Sequence, residues 1–153
     1  MDERTLLTDF WTSESRTTSK VLGRIPEGSD YRPDPKSRTA QEIAWQIVCE
    51  EKMLIDALES GKAEWAPSPT PPTMKEVADA YDRQSAGMEA RWKALPAERW
   101  DGTIEFFGSQ RSPSSIAWGF LFDIIHHRGQ LTTYLRPMGS TVPQVYGPTA
   151  DEP

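Results

Sequence analysis

Helix start and stop signals divide this chain of 153 residues into four long segments and leave little room for another architecture. In a capping box, a Thr and a Glu three residues later bond to each other's backbone at a helix start, and Ser before Pro is another favoured start. Three such starts are present: Thr39 with Glu42, Thr73 with Glu76, and Ser112 with Pro113. Segments rich in Gly and Pro separate them and favour loops. The pattern predicts helices over residues 2–22, 40–60, 74–95 and 113–136.

Apolar residues recur at three- and four-residue steps within these segments, as expected for helices that bury one face. The clearest stripe belongs to the second helix: Ile43, Ile47, Leu54 and Leu58. In the first helix the expected inward stripe is only partly apolar: Leu6, Phe10, Ser13, Thr17 and Val21. Residues 100–112 alternate weakly, but no partner strand is evident. The fold class predicted is therefore all-α, a four-helix bundle.

Charge and cysteine content narrow the function classes. The chain has 17 Lys and Arg against 23 Asp and Glu, a net charge of −6, and no basic block, which argues against a nucleic-acid partner. No apolar stretch is long enough for a membrane span, and the N-terminus lacks the basic region of a secretory signal. Cys49 is the only cysteine, which is typical of a reducing compartment. We therefore expect a cytoplasmic protein that acts without membrane or nucleic acid.

The fourth predicted helix differs from the other three because the run "IAWGFLFDII" is apolar nearly all the way round. A helix of this kind is buried on several sides, whereas one side of a helix in a four-helix monomer normally faces water. Self-association through the fourth helix, giving a homodimer, is the hypothesis that follows.

Both histidines of the chain lie in this helix, at positions 126 and 127. Asp123 and His127 stand four residues apart and so share a face, while His126 is rotated by about 100° to a flank. Gln46 and Glu50 fall on the inward face of the second helix. Buried carboxylates need a partner, so two arrangements remain open: a divalent metal held by these side chains, or a metal-free hydrogen-bonded network. The inward stripe of the fourth helix is taken as Ile116, Phe120, Leu131 and Tyr134.

Two motifs carry a resemblance to a known family: "HHRGQLTTYLRPMGSTVPQVYG" (126–147) and "TAQEIAWQIVCEE" (39–51). They resemble the DinB-like (DinB/YfiT) superfamily of bacterial four-helix bundles, which includes metal-dependent hydrolases and thiol S-transferases. The resemblance covers nearly the whole chain and implies a DinB-like domain over residues 1–147 with a C-terminal tail over 148–153. Gly129, in mid-helix, predicts close packing at that point. The turn at Gly139 and Pro143 is expected to bring Tyr146 back across the bundle.

The resemblance also implies a metal site of three histidines, one on the second helix and two on the fourth. The matching positions here are Gln46, Asp123 and His127, so one imidazole of the three is kept. Asp123 is a sound substitute ligand, whereas Gln46 is either a weak ligand or a hydrogen-bond donor, and Glu50 could supply the missing charge. The cofactor expected is a divalent metal, Zn²⁺, Ni²⁺ or Mn²⁺, with a preference moved toward harder ions; the metal-free network stays open.

Two functions from different classes follow. The first is a metal-dependent hydrolase or thiol S-transferase with a degenerate site, acting on a small molecule or a low-molecular-weight thiol; its catalytic residues are unassigned. The alternative is a non-catalytic dimeric bundle that serves as a binding or stress-response module without metal.

Overall fold

The computed structural model describes residues 2–153, and its long helices begin and end close to the predicted positions. The helices are α1 (Glu3–Leu22), α2 (Ala40–Ser60), α3 (Met74–Ala94), α4 (Ala97–Trp100) and α5 (Pro113–Leu135), and the strands are β1 (Lys62–Ala63), β2 (Ile104–Phe106) and β3 (Ser109–Arg111). Both capping boxes form as the sequence predicts, and Gly61 ends α2 in the left-handed conformation at φ 85°. The local signals therefore set the helix ends.

The four long helices pack as a bundle in which α2 and α1 each contact both α5 and α3. The predicted stripe of α2 is fully buried, and a single apolar core runs between the helices. Its largest apolar side chains include Trp92, Tyr81, Leu7, Ile47, Leu54 and Leu131. Among the described residues, none of the helices has both the length and the apolar character that crossing a bilayer requires. The predicted four-helix bundle is confirmed.

The expectation that residues 100–112 have no partner strand is wrong. β2 and β3 form an antiparallel hairpin, with Ile104 opposite Arg111, and β1 adds a parallel third strand beside β2. The hairpin turn has positive φ at both central residues, Phe107 and Gly108, which matches the twist of the paired strands. Each strand has only two or three residues, too few for an alternating pattern to be visible. The hairpin leads directly into α5 and forms a wall beside it.

The stripe predicted for α1 is displaced by one residue. The buried residues of this helix are Leu7, Trp11, Glu14, Thr18, Val21 and Leu22, while Leu6 and Phe10 remain 40% and 48% exposed. The pairs Leu6–Leu7 and Phe10–Trp11 offer two apolar rows about 100° apart, which the sequence alone does not separate. Trp11 settles the choice, because its indole packs on Trp92 and donates to buried Glu51 at 2.9 Å.

The C-terminal segment folds back over the bundle. Gly139 turns the chain at φ 80°, and Tyr146 returns across the bundle as predicted, where its hydroxyl donates to the Glu14 carboxylate at 2.8 Å. Residues 148–153 also contact the bundle, through Arg136 with Asp151 and Arg24 with Glu152. The prediction for Gly129 is wrong, since a Cβ built there has no neighbour within 4 Å.

Candidate metal centre

Two neighbouring helices each contribute two polar side chains, one turn apart, to a single cluster. Gln46 and Glu50 come from α2, and Asp123 and His127 come from α5. The Nε2 atom of His127 lies 2.8 Å from Gln46 Nε2, 3.5 Å from Glu50 Oε1 and 3.8 Å from Asp123 Oδ1. The structure thus brings together the three predicted ligand positions and Glu50, the residue expected to supply the missing charge.

Hydrogen bonds fix the form of the imidazole. The Gln46 amide nitrogen can only donate, so His127 Nε2 accepts from it at 2.8 Å. His127 Nδ1, 2.9 Å from Gln130 Oε1, therefore carries the ring hydrogen and donates it. An imidazole held by its other nitrogen in this way presents the Nε2 lone pair in a set direction, as metal-binding histidines do. Here the Nε2 lone pair accepts from the Gln46 amide, and Nε2 also lies 3.5 Å from the Glu50 carboxylate and 3.8 Å from that of Asp123.

Burial divides the cluster into an inner and an outer part. Glu50 and His127 are 4% and 6% exposed, whereas the Asp123 side chain is 51% exposed. Asp123 therefore lies at the rim of the cluster. The prediction that it faces the core is wrong. A carboxylate at the rim keeps part of its hydration and so avoids the full cost of burial. The cluster is open to solvent on the Asp123 side.

Two buried oxygens in the cluster lack a hydrogen-bond donor among the described residues: Gln46 Oε1 and Glu50 Oε2. The second oxygen of Glu50, Oε1, accepts from the Gln46 amide nitrogen at 2.5 Å. A buried acceptor without a partner costs about 1–3 kcal/mol, and a bound cation removes that cost for a carboxylate. An unsatisfied carboxylate oxygen in a cluster that also holds an imidazole and a second carboxylate therefore fits a cation.

The His127 imidazole also binds a proton more readily than an ordinary histidine. Its pKa is raised because the protonated ring would donate to the Glu50 carboxylate; burial opposes this effect, and Gln130 and the nearby Asp123 charge add to it. Metal binding requires the unprotonated ring, so protons and metal ions compete for this nitrogen. The same geometry therefore serves either a metal ion or a proton.

Glu50, Asp123 and His127 each offer one ligand atom, and these three atoms lie within 4.8 Å of one another. Two carboxylates and a neutral imidazole together balance the charge of a divalent ion. His126 is exposed on the flank, as predicted, and does not belong to this group.

An open groove of about 620 Å³ adjoins the rim of the cluster, between the β2–β3 hairpin and α5; we call it the hairpin groove. Its lining residues are Phe106, Arg111, Ser115, Ile116, Gly119, Phe120, Phe122, Asp123 and His126. Asp123 belongs to both the groove and the cluster, so a molecule in the groove would reach the outer carboxylate. The sequence reasoning missed Phe106 and Arg111 here, because nothing in the sequence signals that the hairpin packs beside α5.

Comparison with known proteins adds the family. The model of the DinB family matches residues 1–153. The uncharacterized protein YrdA of Bacillus subtilis is 30% identical over 150 residues, which span 93% of this chain and 87% of that protein. A DinB-like protein (YjoA) from Bacillus subtilis superposes with a TM-score of 0.74 at 22% identity, over 92% of this chain and 96% of that chain. A DinB-like protein from Bacillus cereus gives a TM-score of 0.77 at 25% identity, over 92% and 95% of the two chains. The chain belongs to the DinB family.

Proposed function

We propose that this protein binds one divalent metal ion through Glu50, Asp123 and His127 and uses it to act on a small molecule. The observation that carries the proposal is the buried Glu50 carboxylate: one of its oxygens has no donor among the described residues, and it forms with Asp123 and His127 a group whose ligand atoms lie within 4.8 Å of one another. Gln46 is the fourth neighbour. A 180° rotation of its side-chain amide would place the oxygen where the nitrogen now lies. The amide would then offer a neutral oxygen ligand instead of a hydrogen-bond donor.

The donor set favours particular ions. Carboxylate and amide oxygens suit Mn²⁺ and Mg²⁺, while imidazole suits Zn²⁺ and Ni²⁺. With two carboxylates and one imidazole, the set suits both Mn²⁺ and Zn²⁺, and we expect Zn²⁺ to bind more tightly than Mn²⁺. The carboxylates of Glu50 and Asp123 would together balance the charge of the ion. Both are needed, because a buried charge without countercharge is strongly destabilising.

Hydrolysis or S-transfer involving a low-molecular-weight thiol is the class of reaction we propose. A bound divalent ion supplies the means to lower the pKa of a water or a thiol. The protein's own side chains have separate tasks. Buried Glu50 and His127 hold the ion in place, Gln130 orients the imidazole, and Asp123 presents the site to the hairpin groove. The half-exposed rim leaves room for a small molecule to approach.

One observation favours the second candidate, a metal-free binding or stress-response module. The Gln46 amide already donates to both Glu50 and His127 and so links α2 to α5 without an ion. In that case the cluster stabilises the packing of α2 on α5, and the protein functions as a helical bundle that binds partners.

Metal analysis of tag-free protein, purified without chelator, separates the two candidates. We expect about one ion per chain, and calorimetric titration with Mn²⁺ and Zn²⁺ should show binding at least about tenfold weaker in Asp123→Ala and in Glu50→Gln. Asp79→Ala is the matched control, since this α3 carboxylate is 45% exposed and lies in a helical pair with Lys75. It should leave the affinity unchanged. Wild-type protein that neither contains nor takes up either ion would rule out the metal-dependent function.

A further inference from the structure

The walls of the hairpin groove are mainly aromatic and aliphatic. Phe106 of β2 and Phe120 of α5 meet edge to face, with ring centroids 6.2 Å apart, and Phe122 is 63% exposed. Ile116 contributes to the same wall. A volume of about 620 Å³ lies within the range of small-molecule sites, which combine apolar walls with a few polar groups that set orientation. The groove can therefore bury the apolar body of a small ligand.

Arg111 is the cationic group of this groove. It lies at the end of β3 and is exposed, and its side chain makes no ion pair or hydrogen bond with any residue in the described range 2–153. Other arginines of the bundle, such as Arg91 and Arg128, are engaged by carboxylates. The planar guanidinium matches a carboxylate with two parallel hydrogen bonds, and an apolar wall beside it strengthens such a contact.

We propose that the hairpin groove binds a small molecule that has an apolar, preferably aromatic, body and one carboxylate group held by Arg111. Asp123 is the acid among the lining residues, and it belongs to the metal cluster. An anionic end is therefore attracted to the Arg111 end and repelled from the Asp123 end while the cluster holds no ion. We infer that the uncharged part of the molecule faces the metal centre, and this step rests on the proposed function. The recognition of the carboxylate by Arg111 does not depend on a metal.

Three ligands with one naphthalene body test the charge preference: naphthalene-2-acetate, its neutral amide, and 2-naphthylethylamine. Calorimetric titrations use protein freed of metal on a chelating resin, so that no soluble chelator competes. We expect the carboxylate to bind about tenfold more tightly than the amide, and the amine to bind most weakly. Arg111→Gln should lower carboxylate binding to the level of the amide and leave amide binding unchanged. Arg83→Gln, which removes an exposed arginine of α3, a helix that contributes no residue to the groove, should change neither.

The outcomes are distinct. Equal affinity for the three ligands, or a carboxylate preference that survives Arg111→Gln, would overturn the proposal. So would a dimer in sedimentation velocity that binds none of the ligands, because a second copy would then cover the groove. An Arg111-dependent preference in a protein that takes up no metal supports this site and refutes the proposed function. Metal uptake without any ligand preference supports the proposed function and refutes the Arg111 site.

Discussion

Removing one charge of the buried ion pair between Glu14 and Arg128 should destabilise the fold strongly, because the other charge would stay buried without a partner. Arg128 is 1% exposed, and its Nη1 lies 2.6 Å from Glu14 Oε2. It also donates to the Glu14 carbonyl oxygen at 3.2 Å and lies over the Tyr146 ring at 5.2 Å. Within residues 2–153, Glu14 is the one carboxylate at ion-pair distance. Glu14→Gln would therefore leave a buried cation with no countercharge.

Breaking a buried pair by removing one partner costs about 3–5 kcal/mol, because the remaining charge stays desolvated. Glutamine keeps the shape of Glu14 and one acceptor oxygen, so packing is preserved and we expect the lower end, about 3 kcal/mol. For a chain of 153 residues, this corresponds to a fall in Tm of about 6–12 °C. The C-terminal segment should also loosen, because the Tyr146 hydroxyl donates to the same carboxylate at 2.8 Å.

Thermal and urea unfolding followed by far-UV circular dichroism measure the effect. Arg136→Gln is the matched control, since it breaks an exposed pair with Asp151 at 3.0 Å in which the arginine side chain is 55% exposed. Solvent screens such pairs, so the control should shift Tm far less. The double variant Glu14→Gln with Arg128→Met removes the uncompensated charge and should recover part of the lost stability. If Glu14→Gln costs no more than Arg136→Gln, the argument from burial is wrong.

Three further predictions follow from the cluster, the core and the surface. Gln46→His adds an imidazole beside His127 and should tighten Zn²⁺ binding at least about tenfold, measured by competition with a chromophoric chelator; an unchanged affinity would contradict the role of this position. Burial raises the pKa of Glu51 in the folded protein. The contribution of Glu51 to the free energy of unfolding should therefore be greatest below about pH 4.3, its ordinary pKa, and should be lost as the pH rises through the folded pKa. Glu51→Gln should flatten that dependence in urea unfolding across the same range. Homodimerisation stays a prediction: the exposed Phe10 ring contacts Trp118 outside the hairpin groove, and Phe10→Glu should convert a dimer to monomer in sedimentation velocity.

The sequence by itself determined the helical segments and the fold class. The physical reason is that helix ends depend on bonds between residues two to four apart, such as Thr39 with Glu42 or Ser112 with Ser115, which need no distant partner. The cluster was predictable in part for the same reason. A spacing of four residues on one helix places Asp123 and His127 on one face wherever that helix packs.

Only the tertiary structure decided which face of each helix meets which neighbour. Two apolar rows of α1 were equally plausible from sequence, and the packing of Trp11 on Trp92 selected the row that buries Glu14 against Arg128. The rotation of α5 left Asp123 at the rim. The pairing of short strands placed Arg111 beside α5, which no local pattern reveals. These contacts join residues far apart in the chain, and their energies depend on burial and charge that exist only once the helices have packed.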